Sequence, residues 1–208
     1  MERREFLKNA IATGAAVGAA AVIGPLAAPS TSTATPLRPP GALEEEEFLS
    51  RCTRCMQCID ACPNQAIMQL PGPLGMPGRS TPVIKPRRQA CMLCNKVEGE
   101  YLKCTQVCPT GALQLIRKNL DDVREKFAIG VAELDTDLCY SYNNWSCGAC
   151  YRACPLPGEA MTLGLWERPT VNSEGCIGCG LCERACIRYP QAIRIKPSSK
   201  PKVTGLLG

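Results

Sequence analysis

The stretch Cys52-Thr53-Arg54-Cys55-Met56-Gln57-Cys58-Ile59-Asp60-Ala61-Cys62-Pro63 decides the fold. Its cysteines follow the spacing C-x2-C-x2-C-x3-C-P, in which a tight loop brings three thiolates to one iron–sulfur cubane. The fourth cysteine of such a run binds the neighbouring cubane, so one run implies a second. We expect this fourth cysteine at the start of a short helix. Pro63 behind it sets the chain direction and needs no N–H partner.

The remaining cysteines repeat this pattern, so that all 16 in the 208-residue chain fall into four groups of four. The first two groups are Cys52, Cys55, Cys58, Cys62 and Cys91, Cys94, Cys104, Cys108. The last two groups are Cys139, Cys147, Cys150, Cys154 and Cys176, Cys179, Cys182, Cys186. The second and third groups carry insertions, and Ile187 stands behind the fourth group where proline would be expected.

A small residue followed by an apolar one comes shortly after each group, which extends the repeat beyond the cysteines. We expect each pair to begin a short strand that closes over a cluster. The pairs are Ala66-Ile67, Ala112-Leu113, Ala160-Met161 and Ala192-Ile193.

Sixteen thiolates are the ligands that four [4Fe–4S] clusters require, and we expect every one of these cysteines to bind iron. No iron would then keep an open position for a substrate, which favours an electron carrier over an enzyme. Two alternatives stay open, namely zinc sites, which are usually built from separated C-x2-C pairs, and a disulfide framework. A [3Fe–4S] form at the second or third group also stays open.

The composition supports a cofactor-dependent fold. Three Phe and two Trp leave little apolar surface to bury, so we expect the clusters to act as scaffold too. The chain has no His, which excludes His-containing zinc sites, haem ligation by His and imidazole catalysis. The formal charge is +5, but four oxidised clusters at about −2 each would make the loaded protein acidic. We therefore expect no nucleic-acid partner.

The chain begins with Glu2-Arg3-Arg4-Glu5-Phe6-Leu7-Lys8, and a weakly apolar Ala-rich stretch follows to Ala28. This start resembles a twin-arginine export signal. The resemblance implies export of a folded, cluster-loaded protein to the periplasm. Leu26-Ala27-Ala28 is not a clean cleavage site, so retention of the segment as a membrane anchor stays open.

We expect an α+β fold of two ferredoxin-like 2[4Fe–4S] units in tandem, with few and short strands and helices. The predicted divisions are a signal segment 1–28, a flexible linker 29–42, a first unit 43–125, a second unit 126–197 and a tail 198–208. Helical spacing of apolar residues predicts a linking helix over Asn119–Phe127. Motif one is expected to pair with two, and three with four; nested pairing of one with four and two with three stays an alternative.

Longer segments are similar to the NapG/MauM family of ferredoxin-type proteins. They include the twin-arginine start, Pro40-Gly41-Ala42-Leu43, Gly130-Val131-Ala132-Glu133-Leu134, the run from Cys147 to Pro155, and Pro169-Thr170-Val171. The resemblance implies that all sixteen cysteines are cluster ligands. It also implies a membrane-bound ferredoxin-type partner that oxidises quinol, and a periplasmic redox enzyme such as nitrate reductase, or a cytochrome. A methylamine-utilisation role, as accessory or maturation factor, is the alternative.

Several other side chains receive a structural interpretation. We expect Tyr140, Tyr142, Trp145 and Tyr151 to shield clusters from water rather than relay electrons. The basic residues Lys85, Arg87, Arg88, Lys196, Lys200 and Lys202 are interpreted as solvated charge rather than a docking site.

Overall fold

The computed structural model describes residues 35–126 and 129–197. The predicted signal segment 1–28 and tail 198–208 lie outside the described residues. Within the described ranges, no helix has both the length and the apolar character needed to cross a bilayer.

The elements are few and short, as the α+β prediction requires. The α-helices are α1 (Glu45–Arg51), α2 (Gln57–Asp60), α3 (Lys103–Gln106), α4 (Leu120–Lys126), α5 (Ala149–Arg152) and α6 (Leu181–Ala185). The strands are β1 (Ile67–Gln69), β2 (Pro82–Ile84), β3 (Val131–Leu134), β4 (Met161–Leu163), β5 (Pro169–Val171) and β6 (Ile193–Lys196). Two 3-10 helices span Tyr140–Tyr142 and Leu165–Glu167.

The strands form three antiparallel pairs. Strand β1 pairs with β2 with Ile67 opposite Ile84, and β4 pairs with β5 with Met161 opposite Val171. Strand β3 pairs with β6, so the two ends of the second half meet in one ribbon. Two-stranded ribbons of this length are not stable alone, and each needs other parts of the fold against it.

Helix α4 lies where the sequence predicts a linking helix. Asn119 precedes it and its side-chain Oδ1 accepts a hydrogen bond from the backbone N–H of Asp122 at 2.7 Å. This contact satisfies one of the N–H groups that a helix start leaves without an intrahelical partner. Asp121 and Asp122 in the first turn also suit the positive end of the helix dipole.

The folded part begins earlier than the predicted boundary at Leu43. Arg38 is only 1% exposed, and Pro39 and Pro40 are buried with it. The Arg38 guanidinium bonds both carboxylate oxygens of Glu45 at 2.9 and 2.5 Å, Thr81 Oγ1 at 2.7 Å and the Pro82 carbonyl at 3.0 Å. The linker prediction is therefore wrong for residues 37–42, because the chain there is tied to β2 and α1.

One continuous core joins the two halves of the sequence. Phe48 and Ile84 from the first half belong to the same buried cluster as Leu156 and Ile177 from the second. A smaller cluster, which includes Met161, Ile193 and Ile195, lies within the second half. The described residues group into one compact unit, and the predicted boundary between units at residue 125 stays a prediction.

Candidate metal centres

Four cavities, named here A to D, are each lined by four cysteines. Cavity A holds Cys52, Cys55, Cys58 and Cys108, and cavity B holds Cys62, Cys91, Cys94 and Cys104. Cavity C holds Cys154, Cys176, Cys179 and Cys182, and cavity D holds Cys139, Cys147, Cys150 and Cys186. All sixteen predicted residues are thereby brought together in groups of four. Each cavity takes three cysteines from one motif and one from its neighbour in the sequence.

The short helices place the third cysteine of each motif rather than the fourth. Cys58, Cys104, Cys150 and Cys182 lie within α2, α3, α5 and α6. The fourth cysteine comes after the helix ends, so the prediction that it starts the helix is wrong. The third and fourth cysteines of each motif are four residues apart. Because the helix ends before the fourth cysteine, the two side chains line different cavities.

Left-handed residues just before the helices let the loops turn tightly around the cavities. Met56, Gly148 and Gly180 precede α2, α5 and α6 with φ of 67°, 55° and 86°. Glycine adopts this conformation without the steric cost that a side chain brings. At Gly180 a Cβ atom would also lie 2.5 Å from Pro86 Cβ, so the close approach of the two halves needs glycine there.

The small-plus-apolar pairs lie where the sequence predicts, over the cavities. Ala66 and Ile67 line cavity B, and Ala112 and Leu113 line cavity A. The pairs after the third and fourth motifs, Ala160-Met161 and Ala192-Ile193, line cavities C and D. Three pairs lead into strands β1, β4 and β6, whereas Leu113 forms a single bridge with Ala42.

Backbone N–H groups point at cysteine sulfurs in cavities A and B. The N–H of Leu113 donates to Cys108 Sγ at 3.4 Å in cavity A. In cavity B, the N–H of Ala66 donates to Cys62 Sγ at 3.3 Å and that of Lys103 to Cys94 Sγ at 3.4 Å. Such donors stabilise negative charge on sulfur and are one of the means by which a protein sets a cluster's potential.

The surroundings of several buried cysteines raise the pKa of the free thiol. Burial raises the pKa of Cys58 to about 12, of Cys179 to about 12 and of Cys150 to about 11. Neighbouring cysteines in the same cavity add to each increase. Thiolates gathered this closely need positive charge among them, and the irons of a cluster supply it.

The chemistry of the cavity walls fits iron–sulfur clusters. Each cavity offers four sulfur ligands and about 330 to 400 Å³ of space, counting its mouth. All sixteen cysteines are free thiols rather than disulfides. Within residues 35–126 and 129–197, no three Cys, Asp or Glu side chains are grouped to hold a single ion. Four sulfurs around one wider space are the ligand set of a cubane.

The cavities follow one another in the order A, B, C, D. Cys58 in cavity A and Cys62 in cavity B are joined through the end of α2, as Cys150 in D and Cys154 in C are joined through α5. The backbone N–H of Cys91 in cavity B donates to the Cys179 carbonyl in cavity C at 3.0 Å. The sequence predicted the groups but not this contact between the two halves.

The insertion in the third motif folds into a cover beside cavity D. The Asn143 side chain donates to the carbonyls of Thr136, Asp137 and Cys139 at 3.1, 3.1 and 2.8 Å. Arg168 bonds the Ser141 carbonyl at 3.3 Å and stacks over the Tyr142 ring. These contacts hold the 3-10 helix Tyr140–Tyr142 in place against the cavity.

The shielding prediction has a mixed outcome. Tyr140 lines cavity D, and Tyr151 is half-buried against the core of the second half. Trp145 is 71% exposed and does not cover the cavity, so the prediction is wrong for it.

Arg87, interpreted from sequence as solvated charge, donates to the carbonyls of Glu183, Arg184 and Cys186 at the end of α6. No local signal in the sequence indicates that contact, since its partners lie about a hundred residues away.

Comparison with known proteins agrees with this ligand set. A family model described as a 4Fe-4S dicluster domain matches residues 51–112. A second model, described as a 4Fe-4S binding domain, matches residues 136–161 and 173–186. Together they cover both halves and every cysteine group.

Three relatives match the chain over most of its length. The ferredoxin-type protein NapG of Escherichia coli is 35% identical over 211 residues, covering 96% of this chain and 87% of its own. The methylamine utilization ferredoxin-type protein MauM of Methylobacillus flagellatus is 41% identical over 177 residues, covering 79% and 69%. NapG of Haemophilus influenzae is 36% identical over 220 residues, covering 100% and 75%. No solved structure matches the chain.

Proposed function

The chain belongs to the NapG and MauM family of ferredoxin-type proteins, and from this we propose that it passes single electrons along four [4Fe–4S] clusters, one in each of cavities A to D. The observation that carries the proposal is the grouping of all sixteen cysteines, four to a cavity. When bound, each cluster supplies a centre that gains or loses one electron.

Residues of the chain connect neighbouring cavities and shield the cavities from water. The contact between Cys91 and Cys179 joins cavities B and C, and the helices α2 and α5 join the outer pairs. Ile67, Leu113, Met161 and Ile193 cover the cavities with apolar side chains, which limits the approach of water to the sulfurs. Four cysteines per cavity would supply one ligand to each iron of a cubane, which would leave no iron position open for a substrate.

We further propose the setting in which this path works. The twin-arginine start supports export to the periplasm with clusters already in place, either as a free protein or held by an uncleaved segment. The partners would be a membrane-bound ferredoxin-type protein that oxidises quinol and a periplasmic redox enzyme, such as nitrate reductase. The sequential pairing of motifs is supported by cavities that combine motifs one and two, or three and four.

The test uses the anaerobically purified protein and quinol-reduced membranes from the source cell. We expect bleaching of the visible sulfur-to-iron absorbance when membranes are added, and no bleaching with quinol alone. The Cys150→Ser variant should lose transfer to the periplasmic acceptor, while the matched Ser146→Ala variant should retain it. A protein that dithionite reduces fully but quinol-reduced membranes never reduce would contradict the proposal.

The second candidate function is an accessory or maturation factor for a periplasmic enzyme of methylamine utilization, the setting that the names of the MauM relatives print. Under that role the clusters would be structural. A Cys150→Ser protein that stays folded and still supports full activity of the partner enzyme would select it over electron transfer.

A further inference from the structure

Two buried polar side-chain atoms in residues 35–126 and 129–197 have no hydrogen-bond partner. They are the hydroxyl oxygen of Ser141 and Nε of Arg188. Native proteins rarely leave such atoms unpaired, because each has given up water without gaining a replacement. An acceptor is therefore expected next to both.

Both residues line the same cavity, cavity D. Ser141 is 1% exposed and comes from the insertion of the third motif, whereas Arg188 follows the fourth motif by two residues. The chain thus brings two unpaired groups from separate segments to one of its four cysteine sites.

The surroundings hold these two side chains in position. The Arg188 guanidinium carbon lies 5.3 Å from the centroid of the Tyr140 ring, a distance typical of a cation–π contact. The Ser141 carbonyl accepts a hydrogen bond from Arg168 Nε at 3.3 Å. The segment that carries Ser141 is further held by Asn143, whose side chain bonds the Cys139 carbonyl at 2.8 Å.

The remaining cavities differ in what their walls offer. Apart from its four cysteines, cavity C is lined only by Ala, Pro, Leu, Met, Ile and Gly residues. Arg54 lines cavity A, but its Nε donates to the Arg79 carbonyl at 3.1 Å. Cavities A and B have backbone N–H donors to cysteine sulfur, and in cavity A the Thr110 hydroxyl also lies 3.8 Å from Cys108 Sγ. Cavity D combines the Ser141 hydroxyl with Arg188 Nε, and neither atom has a hydrogen-bond partner in the protein.

We propose that Ser141 and Arg188 donate hydrogen bonds to the sulfur atoms of the cluster in cavity D and make it the most easily reduced of the four. This inference rests on the proposed function, because it requires a cluster in that cavity. One electron entering that cluster adds one negative charge to its irons and sulfurs. Donors and a nearby positive charge stabilise the reduced form more than the oxidised form, which raises the potential.

A higher reduction potential in cavity D would direct electrons toward one end of the path. Cavity D is the last in the order A, B, C, D, so electrons that enter at cavity A would collect at the far end. The apolar wall of cavity C, by contrast, offers no side-chain donor to its cluster. The exit of the path is then set by two side chains rather than by the cysteine ligands, which are the same in all four sites.

The test is an EPR-monitored redox titration of the full, cluster-loaded protein. Ser141→Ala removes the hydroxyl, and Arg188→Lys keeps the charge but removes Nε. We expect the double variant to lower the equilibrium constant for one-electron reduction of one cluster about tenfold, which shifts its reduction potential by about −59 mV. The potentials of the other three clusters should stay unchanged. Pulsed EPR in D2O should show exchangeable deuterons coupled to that cluster, one of which Ser141→Ala removes.

Matched controls are Ser146→Ala and Arg184→Lys, which make the same changes at exposed side chains of the same segments. Neither should shift a potential. Unchanged potentials in the double variant, or an equal shift of all four clusters, would overturn the inference. A wild-type protein with four reducible clusters keeps the proposed function intact in that event, whereas a protein without iron would remove both.

Discussion

Arg38 is a charged side chain that the fold buries almost completely. It bonds Glu45, Thr81 and Pro82 and stacks over Phe48, with its guanidinium carbon 4.6 Å from the ring centroid. A single side chain thus joins the start of the folded part to α1 and β2. The sequence did not predict this role, because its partners at Thr81 and Pro82 lie more than forty residues away.

Removing this side chain should destabilise the protein strongly. Arg38→Ala leaves Glu45 and the Pro82 carbonyl without their partner, which typically costs about 3 kcal/mol. For a chain of this size we expect an unfolding temperature lower by about 6 °C or more, measured anaerobically by circular dichroism. Arg117→Ala, which breaks the exposed ion pair with Glu100, is the control and should change little. Equal effects of the two variants would contradict this account.

Glu183 is a carboxylate in a partly buried position between α6 and β6. It accepts the backbone N–H of Ile195 at 2.7 Å. Burial raises the pKa of its carboxyl, and the Ile195 N–H and the nearby Arg194, Arg87 and Lys196 oppose that increase. A raised pKa in the folded state means that its stabilising contribution is present below the unfolded value of 4.5 and is lost as pH rises through the folded value.

Glu183→Gln should therefore unfold at a higher temperature than the wild type at pH 8. The amide oxygen can still accept the Ile195 N–H without placing a charge there. The difference should narrow as the pH is lowered toward the raised pKa, since the wild-type carboxyl becomes neutral. Melting curves of both proteins, recorded anaerobically from pH 8 down toward the raised pKa, check this prediction. A wild type that is the more stable protein at pH 8 would show that the three basic side chains outweigh burial.

Among the elements, helix α4 has only seven residues, so it is held by packing of the buried Val123 and by the contact at its first turn. Asn119→Ala removes the side-chain acceptor for the Asp122 N–H. We expect a loss of about 1 kcal/mol and an unfolding temperature lower by about 2–4 °C. Asn119→Ser keeps an acceptor at the same position and should unfold near the wild-type temperature. A serine variant as unstable as the alanine variant would exclude capping as the cause.

The helices and strands also show which parts of the fold can be predicted from sequence. The pairs that follow each motif predicted β1, β4 and β6, and the helical spacing of apolar residues predicted the linking helix, because these signals are local. The sequence placed the fourth cysteine wrongly, at a helix start. It also did not predict that Arg168 would hold the insertion Tyr140–Ser146 through the Ser141 carbonyl, since that contact joins separate segments.

At the scale of the whole molecule, the described residues are organised around four sulfur-lined cavities and one shared core. Spacing alone predicted all sixteen cysteines that line these cavities. It did not predict the contact between Cys91 and Cys179 or the bonds from Arg87 to the end of α6. These contacts depend on how the two halves pack, which no repeat or motif encodes.

The most direct measurement is an anaerobic count of iron and acid-labile sulfide per chain, paired with EPR during reduction by dithionite. The account predicts about sixteen irons and sixteen sulfides, with signals broadened by interaction between neighbouring reduced clusters. Zinc in place of iron, disulfides in place of thiolates, or about half the expected iron would contradict a path of four clusters.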